Sequence, residues 1–80
     1  MNEENRSYYA IVTQGYGSRT RYQIRKIYKS GLSIPVTATD ETWTPHKTES
    51  AARAAAAAAG IEISVTGDYY EILARINNRL

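Results

Sequence analysis

Residues 7–14 read SYYAIVTQ, a run rich in strand-forming residues that decides the fold. Successive side chains of a strand point to opposite faces, and both faces of this strand are apolar. One face carries Tyr9, Ile11 and Thr13, and the other carries Tyr8, Ala10 and Val12. The pattern predicts either a strand covered on both sides or one whose outer face is aromatic.

Two more strands are predicted after a glycine-rich loop at residues 15–18 (GYGS). In residues 21–29, apolar and polar side chains alternate as far as residues 25–27 (RKI), where the alternation slips and predicts a β-bulge. Residues 32–39 (LSIPVTAT) alternate throughout. Because proline has no backbone N–H, Pro35 predicts that this third strand lies at a sheet edge or turns that nitrogen toward solvent.

An alanine-rich helix is predicted next. Eight of the nine residues 51–59 are alanine, the strongest helix former, and Gly60 stands where a helix C-terminus favours glycine. Two starts are open: Thr44 as the N-cap with Pro45 in the first turn, or Thr48 with Glu49 in the first turn. Since its side chains are mostly methyl groups, the helix is expected to lie close to the sheet, whose larger residues must fill the core.

The C-terminal part of the chain predicts one more strand and one ambiguous segment. Residues 61–65 (IEISV) alternate as a strand. Residues 68–80 fit a helix that opens with an Asp68–Glu71 capping box, which we favour, and they also fit a strand after a Gly67-Asp68 turn.

The order of these elements predicts an α+β fold. We expect an antiparallel sheet of three to five strands, the alanine-rich helix packed on one face, and a C-terminal segment that is a helix or a hairpin. Residues 1–6 are predicted to be a disordered N-terminus, and residues 7–80 a single α+β domain.

Composition limits the class of protein. Eighty residues allow one small domain with little stability to spare, and the absence of cysteine excludes disulfides, thiolate metal sites and a cysteine nucleophile. The N-terminus is polar, and no stretch reaches the roughly 20 apolar residues that span a bilayer. We therefore expect a soluble cytoplasmic protein with no membrane partner.

The charge of the chain is unevenly distributed and points to a binding site. The net charge is +2, yet residues 5–39 contain six Lys or Arg residues, five tyrosines and no acid. On an extended strand, Arg21, Gln23 and Arg25 share one face about 6.6 Å apart, roughly the spacing of successive phosphates in a nucleic-acid strand. Arginine suits phosphate or carboxylate, and tyrosine stacks on bases or fills pockets. The predicted binding residues are Tyr16, Arg19, Arg21, Tyr22, Gln23, Arg25, Lys26, Tyr28 and Lys29.

The alternative interpretation of these residues is structural, since charged side chains also occupy the solvent side of a sheet and protect its edge. No catalytic, cofactor or metal site is predicted. The single histidine, His46, lies in a polar connection without partners at a known triad spacing, and one histidine with scattered carboxylates is a poor metal set. The chain is therefore not expected to be an enzyme.

One resemblance extends the nucleic-acid interpretation. The segments RYQIRKIYKSG (21–31) and TWTPHKTESAARAAAAAAG (42–60) resemble the sheet-then-helix layout of plant AP2-type and integrase arm-type DNA-binding domains. In those domains three strands present arginine and aromatic residues to DNA, and an alanine-rich helix backs the sheet. The resemblance covers about residues 8–60 and implies a small nucleic-acid-binding module in which Arg21, Tyr22 and Arg25 contact DNA.

A second resemblance covers the whole chain. It resembles small phage-encoded anti-CRISPR proteins, many of which are single α+β domains of this size with an antiparallel sheet, a short helix after a Thr-x-Ser/Glu start and no catalytic set. This resemblance implies a phage protein that acts in the host cytoplasm by occupying a crRNA-guided complex, or its effector nuclease, where target DNA binds.

Our leading hypothesis is a non-catalytic inhibitor of this kind, which acts through its tyrosine and arginine face. The expected partner is a host protein complex, a CRISPR–Cas effector, and direct contact with nucleic acid is the alternative. The small core also favours a homodimer, with the Pro35 edge or the face that carries Tyr8 and Val12 as the contact.

Overall fold

The computed structural model describes residues 6–78. In chain order, the elements are β1 (Ser7–Gln14), a 3₁₀ turn (Gly17–Arg19), β2 (Arg21–Tyr28), β3 (Ser33–Pro35), α1 (Asp40–Trp43), α2 (Glu49–Ala58), β4 (Val65–Gly67) and α3 (Tyr69–Asn78). The strands form one sheet in the order β3-β2-β1-β4. The α+β class is thus confirmed. The predicted disordered N-terminus falls on residues 1–6, of which 1–5 lie outside the described residues.

β1 and β2 form the centre of the sheet as an antiparallel hairpin. Their register runs without a break from Ser7 opposite Tyr28 to Gln14 opposite Arg21. The predicted bulge at residues 25–27 is therefore wrong. The alternation slips there because both faces of the sheet are covered, so that apolar side chains of β2 are buried on opposite faces (Ile24 on one, Ile27 on the other).

The loop between these strands depends on Gly15. Its φ is 73°, and a Cβ at this position would lie 2.7 Å from the carbonyl oxygen of Arg19. Only glycine fits such a conformation without strain. The chain then makes one 3₁₀ turn, Gly17–Arg19, and enters β2.

The two outer strands run in different directions relative to the hairpin. β3 is antiparallel to β2 and lies at the edge, as Pro35 predicted. β4 pairs with β1 in parallel, so the prediction of a wholly antiparallel sheet is wrong. A parallel pair needs a long connection, and the connection from β1 to β4 runs through β2, β3, α1 and α2. Residues 61–64, predicted as part of a strand, are irregular, although Ile61 and Ile63 pack into the core under α2.

One face of the sheet is covered by α3. The buried residues there are Ala10, Val12, Ile27, Val65, Ile72 and Ile76. The favoured helix and its capping box are confirmed: Asp68 Oδ1 accepts the Glu71 N–H at 2.9 Å, and Glu71 Oε1 accepts the Asp68 N–H at 3.3 Å. This helix covers the face that was one of the two expected dimer contacts. Residues 79 and 80, the end of the predicted segment, lie outside the described residues.

The other face is covered by α2. Buried Ala52, Ala55 and Ala56 pack on Ile11 and Ile24 of the sheet. The later of the two predicted starts is confirmed, because Thr48 Oγ1 accepts the Ala51 N–H at 3.1 Å.

The connection before α2 contains a helical turn, α1, that the sequence analysis did not predict. Thr39 and Thr42 cap it reciprocally, since each side-chain oxygen accepts the backbone N–H of the other, at 3.1 Å and 2.9 Å. Thr42 is fully buried, so α1 is anchored against the rest of the domain.

Candidate binding surfaces

The predicted row Arg21, Gln23 and Arg25 does share one face of β2. It is the face that α3 covers, because Val12 of the core lies opposite Gln23. Gln23 is only 8 % exposed; its Oε1 accepts from Arg25 Nη1 at 3.0 Å, and its Nε2 donates to the Trp43 carbonyl at 3.0 Å. The centre of the row is therefore part of the protein interior.

Arg25 binds the edge strand. Two of its nitrogens donate to Ser33: Nε to Oγ at 2.6 Å and Nη2 to the carbonyl oxygen at 3.1 Å. Leu32 and Val36 bond to β2, so by alternation the backbone groups of Ser33 and Pro35 face the outer edge. Arg25 thus donates a hydrogen bond to the Ser33 carbonyl, which points away from the sheet, and Pro35 has no backbone N–H. Both features block the addition of another strand, which supports the structural interpretation of Arg25.

Tyr16, Arg19 and Arg21 lie at the loop end of the hairpin. Tyr16 is 88 % exposed, and Arg19 is exposed as well. Arg21 Nη1 donates to the carbonyls of Ser18 at 3.2 Å and Thr20 at 2.8 Å. Within residues 6–78, Nε and Nη2 of Arg21 have no hydrogen-bond partner. The loop end is the most open part of the predicted site.

The other predicted residues of β2 lie on the opposite face. Because the register is unbroken, Tyr22, Lys26 and Tyr28 point to the α2 side of the sheet. Tyr22 packs against the core under α2. Lys29 follows β2, and its backbone N–H donates to the carbonyl of Arg6.

The nine predicted residues therefore do not form one surface. They divide between the two faces of β2 and between its two ends, which are about 23 Å apart at roughly 3.3 Å per residue. The two ends of β2 are therefore two separate candidate binding surfaces.

Tyr9, Lys26, Tyr28 and Ile34 form what we name the tyrosine–lysine surface, at the end of the sheet away from the loop. Lys26 is its centre, since it lies opposite Tyr9 in β1 and opposite Ile34 in β3. Its Nζ is 5.9 Å from the centroid of the Tyr9 ring and 5.8 Å from that of Tyr28. Each cation–π contact of this kind contributes about 0.5–1 kcal/mol at exposed sites, so the two rings hold the ammonium group in place.

The tyrosine–lysine surface lies outside the core cluster under α2 and is open to a partner. Ile34 is 40 % exposed, and Tyr9, Lys26 and Tyr28 are half-buried. Such residues have little conformational entropy left to lose on binding, and tyrosine is among the residues that contribute most to interfaces. The arrangement suits an anionic group that lies beside a flat apolar group or a base.

Tyr9 and Ile34 lie outside the set of predicted binding residues. Both residues lie opposite Lys26 on neighbouring strands. The alternation of residues within a single strand does not reveal such a pairing. A signal existed for Tyr9: once Gln14 is placed opposite Arg21, counting back along the hairpin brings position 9 opposite position 26.

The backbone and the ring of His46 both contact other parts of the chain. The backbone of His46 pairs with Tyr22, and its Nε2 lies 2.6 Å from the Glu41 carbonyl oxygen. In the part of the chain that the structure describes, no group of three or more His, Cys, Asp or Glu side chains could hold a metal ion.

Among residues 6–78, no helix is long and apolar enough to cross a membrane. Comparison of the chain with protein-family models, with curated proteins and with solved structures gives no match. The physical properties of the two ends of β2 are therefore the basis for any functional proposal.

Proposed function

We propose that this protein is a non-catalytic binding protein that contacts an anionic partner through the tyrosine–lysine surface. The observation that carries the proposal is the ammonium group of Lys26, held 5.9 Å and 5.8 Å from two tyrosine rings on an open part of the sheet. A lysine ammonium group held beside two tyrosine rings places a positive charge next to a flat apolar surface. A carboxylate-rich protein surface or a bound nucleic acid matches both.

The specific form of this proposal is inhibition of a CRISPR–Cas effector or surveillance complex by steric blocking. It follows the resemblance to small phage anti-CRISPR proteins, many of which have no catalytic set. The surfaces that hold guide RNA and target DNA in such complexes combine phosphates with protein, so a basic, tyrosine-bearing surface is complementary to them. The protein would act by occupying the place of the target DNA.

Cleavage of target DNA by a panel of purified CRISPR–Cas effectors tests this form directly. We expect the wild-type protein to inhibit at least one effector and Lys26→Glu to lose that inhibition. Arg75→Glu is the matched control, because Arg75 is exposed on α3, on the other face of the sheet, and the charge change is identical. No inhibition across the panel would overturn the inhibitor form, and equal inhibition by both variants would overturn the role of the surface.

A second candidate function is a small nucleic-acid-binding module. The observation that favours it is the presence of a cation and a tyrosine at each end of β2, about 23 Å apart, which is a span of several nucleotides. Tyr16 and Arg19 at the loop end and Lys26 and Tyr28 at the other would contact one strand at two points.

A salt titration separates the two candidates. A nucleic-acid-binding module should bind random single-stranded or duplex DNA with sub-micromolar affinity at about 50 mM salt, and log affinity should fall steeply with log salt because cations on the protein displace counterions. If no binding is detected at about 50 mM salt, this second candidate is eliminated, and the proposal of a protein partner stands.

A further inference from the structure

An open cleft of about 470 Å³ lies at the loop end of β2, away from the tyrosine–lysine surface. It is lined by Gly17, Ser18, Thr20, Arg21, Tyr22 and Lys47. Two of these residues are cations and none is an acid. Lys47 comes from the connection before α2, so the cleft joins two distant parts of the sequence.

The guanidinium group of Arg21 is fixed at the wall of this cleft. The carbonyls of Ser18 and Thr20 both accept from its Nη1, at 3.2 Å and 2.8 Å. Its Nε and Nη2 have no partner within the described part of the chain. Two N–H groups in a fixed planar arrangement are what an arginine offers to a tetrahedral oxyanion.

Lys47 is brought to the cleft by a short antiparallel bridge. The N–H of Tyr22 donates to the carbonyl of His46, and the N–H of His46 donates to the carbonyl of Tyr22, both at 2.8 Å. This pair of bonds holds the backbone next to Lys47 against the start of β2. The second cation is therefore positioned by the fold.

The hydroxyl groups in the cleft are also available. In residues 6–78, neither Ser18 Oγ nor Thr20 Oγ1 makes a hydrogen bond to another group of the chain. A hydroxyl can donate to an anion when it has no internal acceptor. The cleft thus combines two cations and two free hydroxyl donors beside the Gly17 backbone.

We propose that this cleft binds a phosphate group. Arg21 would bind two of its oxygens through Nε and Nη2, Lys47 would neutralise the remaining charge, and Ser18 and Thr20 would donate hydrogen bonds. The inference goes beyond the proposed function, because it concerns the other end of β2 and rests on none of the four residues of the tyrosine–lysine surface.

Titration of the isotope-labelled protein with inorganic phosphate, followed by NMR, tests the proposal. We expect saturable shifts of the amides of Gly17, Ser18 and Lys47, with sodium chloride at matched ionic strength giving none. Lys47→Gln should weaken binding about tenfold, the effect of losing one charge-assisted contact. Lys26→Glu should leave phosphate binding unchanged, which separates this site from the proposed function.

Two further arms identify the source of the phosphate and guard against a folding defect. Dimethyl phosphate carries the single charge of a nucleic-acid diester, so comparable binding of it indicates a nucleic-acid backbone, whereas binding of inorganic phosphate alone indicates a terminal phosphate.

Arg21→Lys is the variant that controls for a folding defect. It keeps the positive charge but loses the planar pair of N–H donors, and its amide spectrum reports whether the loop has kept its fold. Absent shifts with inorganic phosphate, shifts reproduced by chloride, or undiminished binding by Lys47→Gln would overturn the proposal.

Discussion

The two faces of the sheet are packed by opposite means. On the α3 face the helix supplies the bulk, because Ile72 and Ile76 lie on strand residues as small as Ala10. On the α2 face the sheet supplies the bulk, since the helix contributes only methyl groups and Ile11 and Ile24 fill the space beneath it.

This difference predicts opposite tolerances in the two helices. α3 cannot lose volume at its buried positions, whereas α2 cannot gain it, because alanine already sets the distance between helix and sheet. Because α2 is small and covers only part of its face of the sheet, the tyrosine–lysine surface on the rest of that face stays open to a partner.

The largest effect is expected from removing bulk on the α3 face. Ile72→Ala should lower the free energy of unfolding by about 2–5 kcal/mol, because Ile72 is fully buried and its loss leaves a cavity. Ile34→Ala is the matched control, because the same atoms are removed from a side chain that is 40 % exposed, and should cost less than about 1 kcal/mol. Urea denaturation measures both, and equal costs would contradict the assignment of the core.

Adding bulk on the α2 face should have the next largest effect. Ala56 is 1 % exposed, so Ala56→Leu should destabilise the fold by about 1–3 kcal/mol through overpacking. Ala57 is exposed in the same helix, and Ala57→Leu should change stability by no more than about 0.5 kcal/mol. Thermal unfolding of both variants checks this, and a neutral Ala56→Leu would show that the helix does not lie close to the sheet.

A smaller effect is expected at Arg25, whose hydrogen bonds to Ser33 block the outer edge of β3. Arg25→Gln removes its two bonds to Ser33 and its bond to Gln23, and it should cost about 1–2 kcal/mol, because each lost hydrogen bond has a net cost of about 0.5–1.5 kcal/mol and water replaces part of them. It should also increase self-association, measured by sedimentation at high protein concentration, because the outward carbonyl becomes available. Arg75→Gln removes the same charge from the exposed surface of α3; if it causes as much association, the edge is not the cause.

The smallest effect concerns pH and the cap of α3. The Glu71 backbone N–H that bonds to Asp68 lowers the pKa of this carboxyl below its usual value of 3.8. Because the folded pKa lies below the unfolded one, the ionised cap stabilises the protein above pH 3.8, and this contribution disappears as the pH falls through the folded pKa.

Asp68→Asn, which keeps a capping side chain without a charge, isolates this contribution. The wild type should be slightly more stable than Asp68→Asn at pH 6, and the difference should disappear as the pH falls through the folded pKa of Asp68, which lies below 3.8. Chemical denaturation across this range measures the difference. A difference that stays constant with pH would show that the charge of Asp68 does not contribute.

Much of the fold could be predicted because it is encoded locally. The strand at residues 7–14, the alanine helix and the Asp68–Glu71 capping box can each be predicted from residues within the element itself. The parallel pairing of β4 with β1 could not be predicted in this way, since nothing in residues 65–67 specifies which strand they join.

The site was predicted in composition but not in arrangement. The acid-free stretch rich in tyrosine did contain Arg19, Arg21 and Lys26 of the candidate surfaces. However, Arg25 binds Ser33, and Lys26 lies over the ring of Tyr9. Both contacts depend on register between strands. The bulge was wrongly predicted because the alternation of β2 was interpreted for a sheet with one covered face, and this sheet has two.

The parallel pairing of β1 with β4 has a consequence for protein synthesis. β1 is synthesised before β4 and α3, so its outer edge is paired only when Val65–Gly67 follows, and its Ala10 and Val12 face is covered only by α3. A nascent chain that has not reached residue 65 therefore carries an unpaired strand edge beside an uncovered apolar face. Products that stop before residue 65 should be recognised by chaperones or aggregate, whereas chains that contain β4 and α3 fold by docking these two elements onto β1.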